Sequence, residues 1–271
     1  MKNSAPRLPI ALRLTFVLVL SQALLYAAFS FLIMRGNKSA IDAGENEFFR
    51  LISNTIDWSI QEELASLDLA LSISSADPVL TALLSSSDRA GTLSYMVNIR
   101  ESLAGRIPVQ RFYDTDGKLF LDMQKPELSG AQVPAGAAML STLISSLSAQ
   151  QGIEQEETAL YLKVMRPVYH DGQFAGVMEY AREFGNEFMQ KLQQKNEGAY
   201  FLLLFEDRFS ANIIAGTRAT TVCPLYESSY DQLIHGQAVW SLECEEARGV
   251  GLYPFHDHQG KVSGFIKVEL D

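Results

Sequence analysis

Arginine, lysine and tyrosine residues occur in pairs, two positions apart, within three apolar segments of this 271-residue sequence. Because alternate residues of a strand face the same side, the two members of each pair share one strand face. The pairs are Arg111 with Tyr113, Tyr161 with Lys163, and Tyr180 with Arg182. A guanidinium group matches a carboxylate, and a phenol adds a directed hydrogen bond. The pattern predicts a pocket for a small polar ligand, such as a carboxylate or an amino acid, and Arg100 is a further candidate.

Other kinds of chemistry have little support. The sequence contains no G-x-S-x-G, P-loop or H-E-x-x-H motif. His256 and His258 could ligate a metal from one strand face, but they fall in a predicted hairpin turn, and we interpret them as solvated turn residues. We therefore expect no catalytic residue, no metal site and no cofactor. The competing interpretation of the arginines and tyrosines is that they face outward or pair with acids.

The charge distribution separates a membrane segment from an acidic remainder. The formal net charge is −10, which argues against a nucleic-acid partner, and every acidic residue lies beyond residue 34. Residues 14–34 carry no charge and would form about 31 Å of helix, enough to cross a bilayer. The basic residues before this segment favour a cytoplasmic 1–13 and an exported 35–271. The alternative is a cleaved signal peptide with its apolar region at 14–25.

Residues 35–104 form a predicted helical region that follows the membrane segment directly. Apolar residues recur in steps of three and four between Lys38 and Ser75, which indicates one long amphipathic helix. Its apolar stripe can pack on the following domain, or pair with the same helix of a second chain in a homodimer. Asp77 and Pro78 then predict an N-cap and the first turn of a short helix.

Strand pairs dominate the sequence beyond Gly105. Residues 109–113 and 118–122 flank an Asp-Gly turn, and residues 158–169 and 174–182 flank a second one. Helices are predicted at 137–149 and 186–194.

An internal repeat organises these strands. The segment from Pro167 to Val177 returns 87 to 88 residues later, from Pro254 to Phe265. Each copy has a proline near the end of a strand, an Asp-bearing turn that ends in glycine, and a second glycine four residues on. We predict two related modules with antiparallel sheets, at 105–185 and 186–271, and hence an α+β fold.

The segments Arg111–Phe120, Lys125–Glu127 and Arg166–Gly176, together with the membrane segment, the long helix and the paired modules, resemble the double Cache sensor domain of bacterial receptors. The resemblance implies two PAS-like modules, each a central antiparallel sheet with helices packed on one side. It implies the ligand-sensing region of a chemoreceptor, histidine kinase or diguanylate cyclase. The chain would sit in the bacterial inner membrane with residues 35–271 in the periplasm. The alternative is a membrane-anchored periplasmic scaffold without a small ligand.

Such receptors normally re-enter the membrane after the last strand, whereas this sequence stops at Asp271. We expect the chain to be the sensory part of a longer receptor. A truncated homologue that signals through a partner protein is the alternative.

The two cysteines, Cys223 and Cys244, lie 21 positions apart in the second module. In an exported chain we predict that they form a disulfide, which would remove roughly 3 kcal/mol of loop entropy from the unfolded state. Two buried free thiols are the alternative. Mass spectrometry after non-reducing digestion should find the two peptides linked. Complete alkylation of both thiols without reduction would contradict the pairing.

Overall fold

The computed structural model describes residues 10–102, 107–128, 138–156, 159–207, 210–217, 227–240 and 249–270. It combines helices with two antiparallel sheets and confirms the predicted α+β class. The chain divides into two compact units, Met1–Arg50 and Leu51–Asp271. Cys223 and Cys244 lie outside the described residues, so their pairing stays a prediction.

Helix α1 covers Ile10–Ser75. Within the first unit, Val19–Gly36 is long and apolar enough to cross a membrane, which agrees with the predicted 14–34. Its large side chains are exposed, for example Leu25 at 73% and Phe29 at 62%. Apolar side chains around a whole helix are stable in lipid and costly in water, so this segment is a candidate membrane span, and a signal sequence would have the same properties.

The part of α1 in the second unit is amphipathic, as its spacing predicts. The buried apolar residues follow one stripe and are Ile52, Ile56, Ile60, Leu64, Leu67 and Leu71. Helix α2 (Pro78–Ser85) begins as predicted, because the Asp77 carboxylate accepts hydrogen bonds from the Val79 and Leu80 amides at 2.8 and 3.1 Å. Helix α3 follows at Arg89–Ser102.

The first sheet is antiparallel and has the strand order β2-β1-β5-β4-β3. Its strands are β1 (Val109–Tyr113), β2 (Leu119–Asp122), β3 (Gln150–Glu156), β4 (Ala159–His170) and β5 (Gln173–Glu183). Helix α4 (Ala138–Ser146) packs on one face with Met139, Leu140 and Leu143, and α1 and α2 lie on the opposite face.

The second sheet repeats this arrangement. It follows helix α5 (Asn186–Lys195) and has the order β7-β6-β10-β9-β8, with helix α6 (Glu227–Ile234) packed against it. Its strands are β6 (Ala199–Asp207), β7 (Ser210–Gly216), β8 (Val239–Trp240), β9 (Gly249–His256) and β10 (Val262–Leu270). The two sheets therefore have the same strand order when the strands of each sheet are counted from its own first strand. The repeat deduced from the two hairpins is therefore confirmed.

Strand β3 is an element that the sequence pattern did not predict. Its sequence, QQGIEQE, has a single apolar residue, Ile153, and no apolar alternation. It nevertheless pairs with β4 along its whole length, because two of its glutamates meet a buried lysine on β4. Ion pairing across strands, rather than apolar patterning, holds this edge of the sheet.

The hairpin between β9 and β10 joins the two sheets. The His258 amide donates to the Ile153 carbonyl on β3 at 3.1 Å, and the Phe184 and Phe255 rings meet edge to face at 5.3 Å. His258 does lie in a turn, but the interpretation of a solvated residue is wrong. Its ring nitrogens are buried, without a hydrogen-bond partner among the described residues.

We predict that Gly152→Ala destabilises this junction. Gly152 has φ +151°, and a Cβ there would lie 2.9 Å from the His258 backbone. Strain and overlap together should lower the free energy of unfolding by about 2–4 kcal/mol. Gly260→Ala is the matched control, since it has φ +80° in the same hairpin and open space around it. Denaturant unfolding should show a clearly larger loss for Gly152→Ala, and equal losses would contradict the contact.

Candidate ligand site

Four of the predicted site residues meet on the face of the first sheet that α4 covers. Arg111 pairs across the strands with Glu179, and Lys163 pairs with Ala181, so β1, β4 and β5 present these side chains to one side. Tyr113 and Tyr161 point to the same side. The sequence could predict each pair but not that these two pairs come together.

Arg111 lies at the centre of a network of carboxylates. Its Nε lies 3.0 Å from Asp122 Oδ2, and its Nη1 lies 2.8 Å from Glu156 Oε1 and 3.1 Å from Glu179 Oε1. The Tyr113 hydroxyl donates to the second oxygen of Glu179 at 2.8 Å. The Arg111 side chain is only 16% exposed, so these pairs are largely shielded from water.

Lys163 is the second cation of the site and is 1% exposed. Its Nζ lies 2.8 Å from Glu154 Oε2 and also contacts Glu156. The other oxygen of Glu154 accepts a hydrogen bond from the Met139 amide in the first turn of α4 at 2.9 Å. Glu154 thus links the buried lysine to the helix that covers the site.

We call Arg111, Asp122, Glu154, Glu156, Lys163 and Glu179 the charged cluster. Two cations in it face four carboxylates. Burial disfavours a charged Glu156, yet the charges and hydrogen bonds of Lys163 and Arg111 outweigh burial and hold its pKa below the ordinary 4.5. Burial also disfavours a charged Lys163, but neighbouring carboxylates raise its pKa. Glu156 and Lys163 therefore stay ionised at neutral pH, and by formal count the cluster has four acidic and two basic side chains.

Tyr161 borders the cluster and differs from Tyr113 in its bonding. Its ring centre lies 5.9 Å from the Lys163 ammonium, and its side chain is half-buried. Burial and the nearby Glu156 raise its pKa, so the phenol is protonated. Its hydroxyl has no hydrogen-bond partner among the residues that the structure describes, which leaves it available to an incoming group.

The remaining candidates do not join this group. Tyr180 points to the α1 face, where its hydroxyl donates to Ser74 Oγ at 2.7 Å. Arg182 lies on the same face, 2.9 Å from Glu63. Arg100 belongs to α3, but its side chain lies outside the described residues.

The four carboxylates of the cluster are the residues that sequence reasoning missed. Glu179 offered a signal, since a single acid inside the apolar strand VMEYA needs a buried partner. Glu154 and Glu156 offered none, because their strand was not predicted.

Within the described part of the chain, no group of three or more metal-ligating side chains could hold a metal ion.

We predict that Lys163→Gln lowers the free energy of unfolding by about 3–5 kcal/mol at pH 7, because it leaves carboxylates buried without their cation. The folded-state pKa of Glu156 is depressed, so its stabilisation exists above the unfolded value of 4.5 and is lost as the pH falls through the folded value. In the variant, only Arg111 opposes the effect of burial on the pKa of Glu156. Glu156 therefore becomes protonated at a higher pH than in the native chain. The loss should therefore be smaller at pH 4 than at pH 7.

Denaturant unfolding of the detergent-solubilised chain at both pH values measures this effect. Lys118→Gln is the matched control, because the Lys118 side chain is 57% exposed and 3.6 Å from Asp116. It should change stability by less than about 0.5 kcal/mol. Equal effects of the two variants would contradict a buried network.

Solved structures that superimpose on this chain include domains of bacterial sensor proteins. The periplasmic domain of Vibrio cholerae LuxQ superimposes with a TM-score of 0.53 at 12% identity, covering 82% of this chain and 99% of that one. A domain of a sensory box/GGDEF family protein from Vibrio parahaemolyticus gives 0.50 at 13% identity, covering 84% and 97%. The ligand-binding domain of the Pseudomonas aeruginosa amino acid chemoreceptor PctC, in complex with GABA, gives 0.46 at 15%, covering 84% and 99%.

Sequence comparison places the chain in a family. No curated protein matches it in sequence. The family described as the double sensory domain of two-component sensor kinase matches residues 50–265, which include the first sheet, the second sheet as far as Phe265 in β10, and the part of α1 that lies in the second unit. The two sheets of equal strand order, the long helix and this match agree with one another, and the chain belongs to the double Cache sensory domain family.

Proposed function

We propose that this chain is the extracytoplasmic ligand-sensing region of a bacterial transmembrane receptor, and that it binds a small polar metabolite at the charged cluster. The observation that carries the proposal is the convergence of Arg111, Tyr113, Tyr161 and Lys163 on one covered sheet face. Binding sites for small molecules are built from a few directed polar groups beside apolar and aromatic side chains. Met165 and Val177 provide the apolar part here.

The charge of the cluster favours a ligand with an ammonium group. Arg111 contacts three carboxylates and Lys163 contacts two, so a simple carboxylate would have to displace ion pairs already formed. An amino acid or an amine would instead compensate the excess negative charge, and Tyr161 would supply a hydrogen bond. Of the two ligand classes that the sequence suggests, the amino acid is therefore favoured.

The opposite face of the same strands offers a route to the membrane. Arg166 on β4 forms two hydrogen bonds of 2.8 Å with Asp68 of α1, and Tyr180 and Arg182 on β5 bind Ser74 and Glu63. A ligand that shifts β4 and β5 acts directly on these anchors. A shift in signalling equilibrium then requires only that the ligand bind one arrangement more tightly than the other.

The remaining parts of the proposal concern placement and assembly. Residues 14–34 would lie in the inner membrane with 35–271 in the periplasm. The chain would form a homodimer through α1, on which Trp58, Leu69 and Ile73 are 58 to 67% exposed. Exposed apolar side chains of this size at helical spacing suit contact with a second helix.

A periplasmic scaffold without a small ligand is the second candidate. Its supporting observation is that the cations of the charged cluster already have carboxylate partners. A ligand screen distinguishes the two functions.

We predict that a thermal-shift screen of amino acids, amines and organic acids on the detergent-solubilised chain finds a stabilising ligand. A ligand at about 100 times its Kd contributes roughly 2.7 kcal/mol. Tyr161→Phe should weaken the hit about tenfold, because it removes one hydroxyl from the site and leaves every ion pair in place.

Tyr180→Phe is the matched control, since it removes a hydroxyl from the opposite face. It should lower stability slightly and leave the ligand affinity unchanged. A hit that survives Tyr161→Phe would contradict the site, and a broad screen without any hit would favour the scaffold.

A further inference from the structure

A groove with a volume of about 870 Å³ runs along α1, on the opposite side of the first sheet from the charged cluster. Helix α5 borders one end of the groove and α3 borders the other, while Ile107 and Arg182 contribute from the sheet side. The volume is typical of a site for a small molecule. The ligand proposed for the charged cluster does not occupy this space, although Leu69 and Ile73, which are assigned above to a homodimer contact, line it.

The middle of the groove is apolar. Its wall there consists of Leu67, Ala70 and Ile73 from α1, with Ile99 and Ile107 opposite. Ile73 is 67% exposed, although it lies beside a concave apolar surface. From Glu63 to Ser74 the groove follows α1 for about 16 Å, at ~1.5 Å per residue. An apolar body of that length would be removed from water by this section.

The α5 end of the groove is positively charged. Glu63 accepts ion pairs from both Arg182, at 2.9 Å, and Lys191, so one carboxylate faces two cations. Lys195 pairs with Glu62 at 2.9 Å and its Nζ lies 4.2 Å from the centre of the Trp58 ring. Among the residues that line the groove at this end, three are basic and two are acidic.

The α3 end contains an acidic residue that already accepts hydrogen bonds from its neighbours. Asp77 caps α2 through the Val79 and Leu80 amides, and it accepts a hydrogen bond from the Tyr95 hydroxyl at 2.7 Å. The charged residues that line the groove are therefore mostly basic at one end, with a capped carboxylate at the other. This polarity selects the orientation of a ligand.

We propose that this groove binds an amphipathic monocarboxylate, with its apolar body between Leu67 and Ile107 and its carboxylate beside Lys191 and Arg182. The apolar section supplies burial, and the excess cation supplies a charge-assisted hydrogen bond. The site is separate from the charged cluster, so binding here is tested independently of the ligand proposed there, whereas a homodimer contact through Leu69 and Ile73 would compete with it. Because α1 forms one wall of the groove, a bound ligand contacts the helix that leads to the membrane segment.

The test uses the full chain in lipid nanodiscs, with empty nanodiscs subtracted for partitioning. The probes are 4-phenylbutyrate, the uncharged 4-phenylbutan-1-ol and acetate, which separate the apolar and anionic contributions. We expect the acid to bind with millimolar or better affinity, the alcohol about fivefold or more weakly, and acetate not at all. Trp58 fluorescence should change on binding because Lys195 lies over its ring, and the change should vanish in Trp58→Phe.

Two variants locate the site. Lys191→Gln removes the excess cation and should weaken the acid about fivefold without weakening the alcohol, while Lys118→Gln should leave both unchanged. Ala70→Leu fills the apolar section and should abolish binding of both probes. Lys191 is 44% exposed, so its variant should fold normally.

Several outcomes would overturn the proposal. These are no binding of 4-phenylbutyrate, equal affinity for acid and alcohol, or equal binding by Lys191→Gln and the native chain. If Ala70→Leu alters only the oligomeric state and no probe binds, the groove is an interface with a second copy of the chain.

Discussion

The compensation of buried charge on strands β4 and β5 is the constraint on which the rest of the structure depends. Lys163 and Glu179 are each 1% exposed, and an unpaired charge at such a depth would cost several kcal/mol. Both therefore need partners at short range, and those partners come from other strands. Edge strand β3 supplies Glu154 and Glu156, and β1 supplies Arg111. The polar edge strand is thus joined to β4 by ion pairs with the lysine as well as by the backbone ladder.

The two faces of strands β4 and β5 make different kinds of contact. On the α4 face, ion pairs join strand to strand and leave the Tyr161 hydroxyl unused. On the α1 face, side chains of the same strands join sheet to helix, as in the pair of Arg166 with Asp68. One hairpin thus belongs to the candidate site and to the anchorage of α1. Alternation along a strand produces both contacts without any loop between them.

Local features of this fold could be predicted from the sequence, and long-range ones could not. Asp77 before Pro78 specifies a helix start by its own bonds, and the turn at Asp114 is closed by its own carboxylate, which accepts from the Asp116 and Lys118 amides. Strand β3 has no such signal, because its stability comes from Lys163 on another strand. Tyr161 and Tyr180 show a further limit of prediction from alternation. Alternation tells which residues share a face, but not whether α4 or α1 covers that face.

Strand β3 also determines how far a change at the charged cluster can reach. Its glutamates hold Lys163 and Arg111, while its Ile153 carbonyl accepts the His258 amide from the second sheet. Gly152 lets the two backbones approach closely enough for that bond. Under the proposed function, a ligand that competes for Glu154 or Glu156 would therefore act on the strand that contacts the second sheet. Packed interfaces shift between discrete arrangements rather than deforming gradually, so the sensing function proposed above would use strand β3 as the contact through which the first sheet acts on the second.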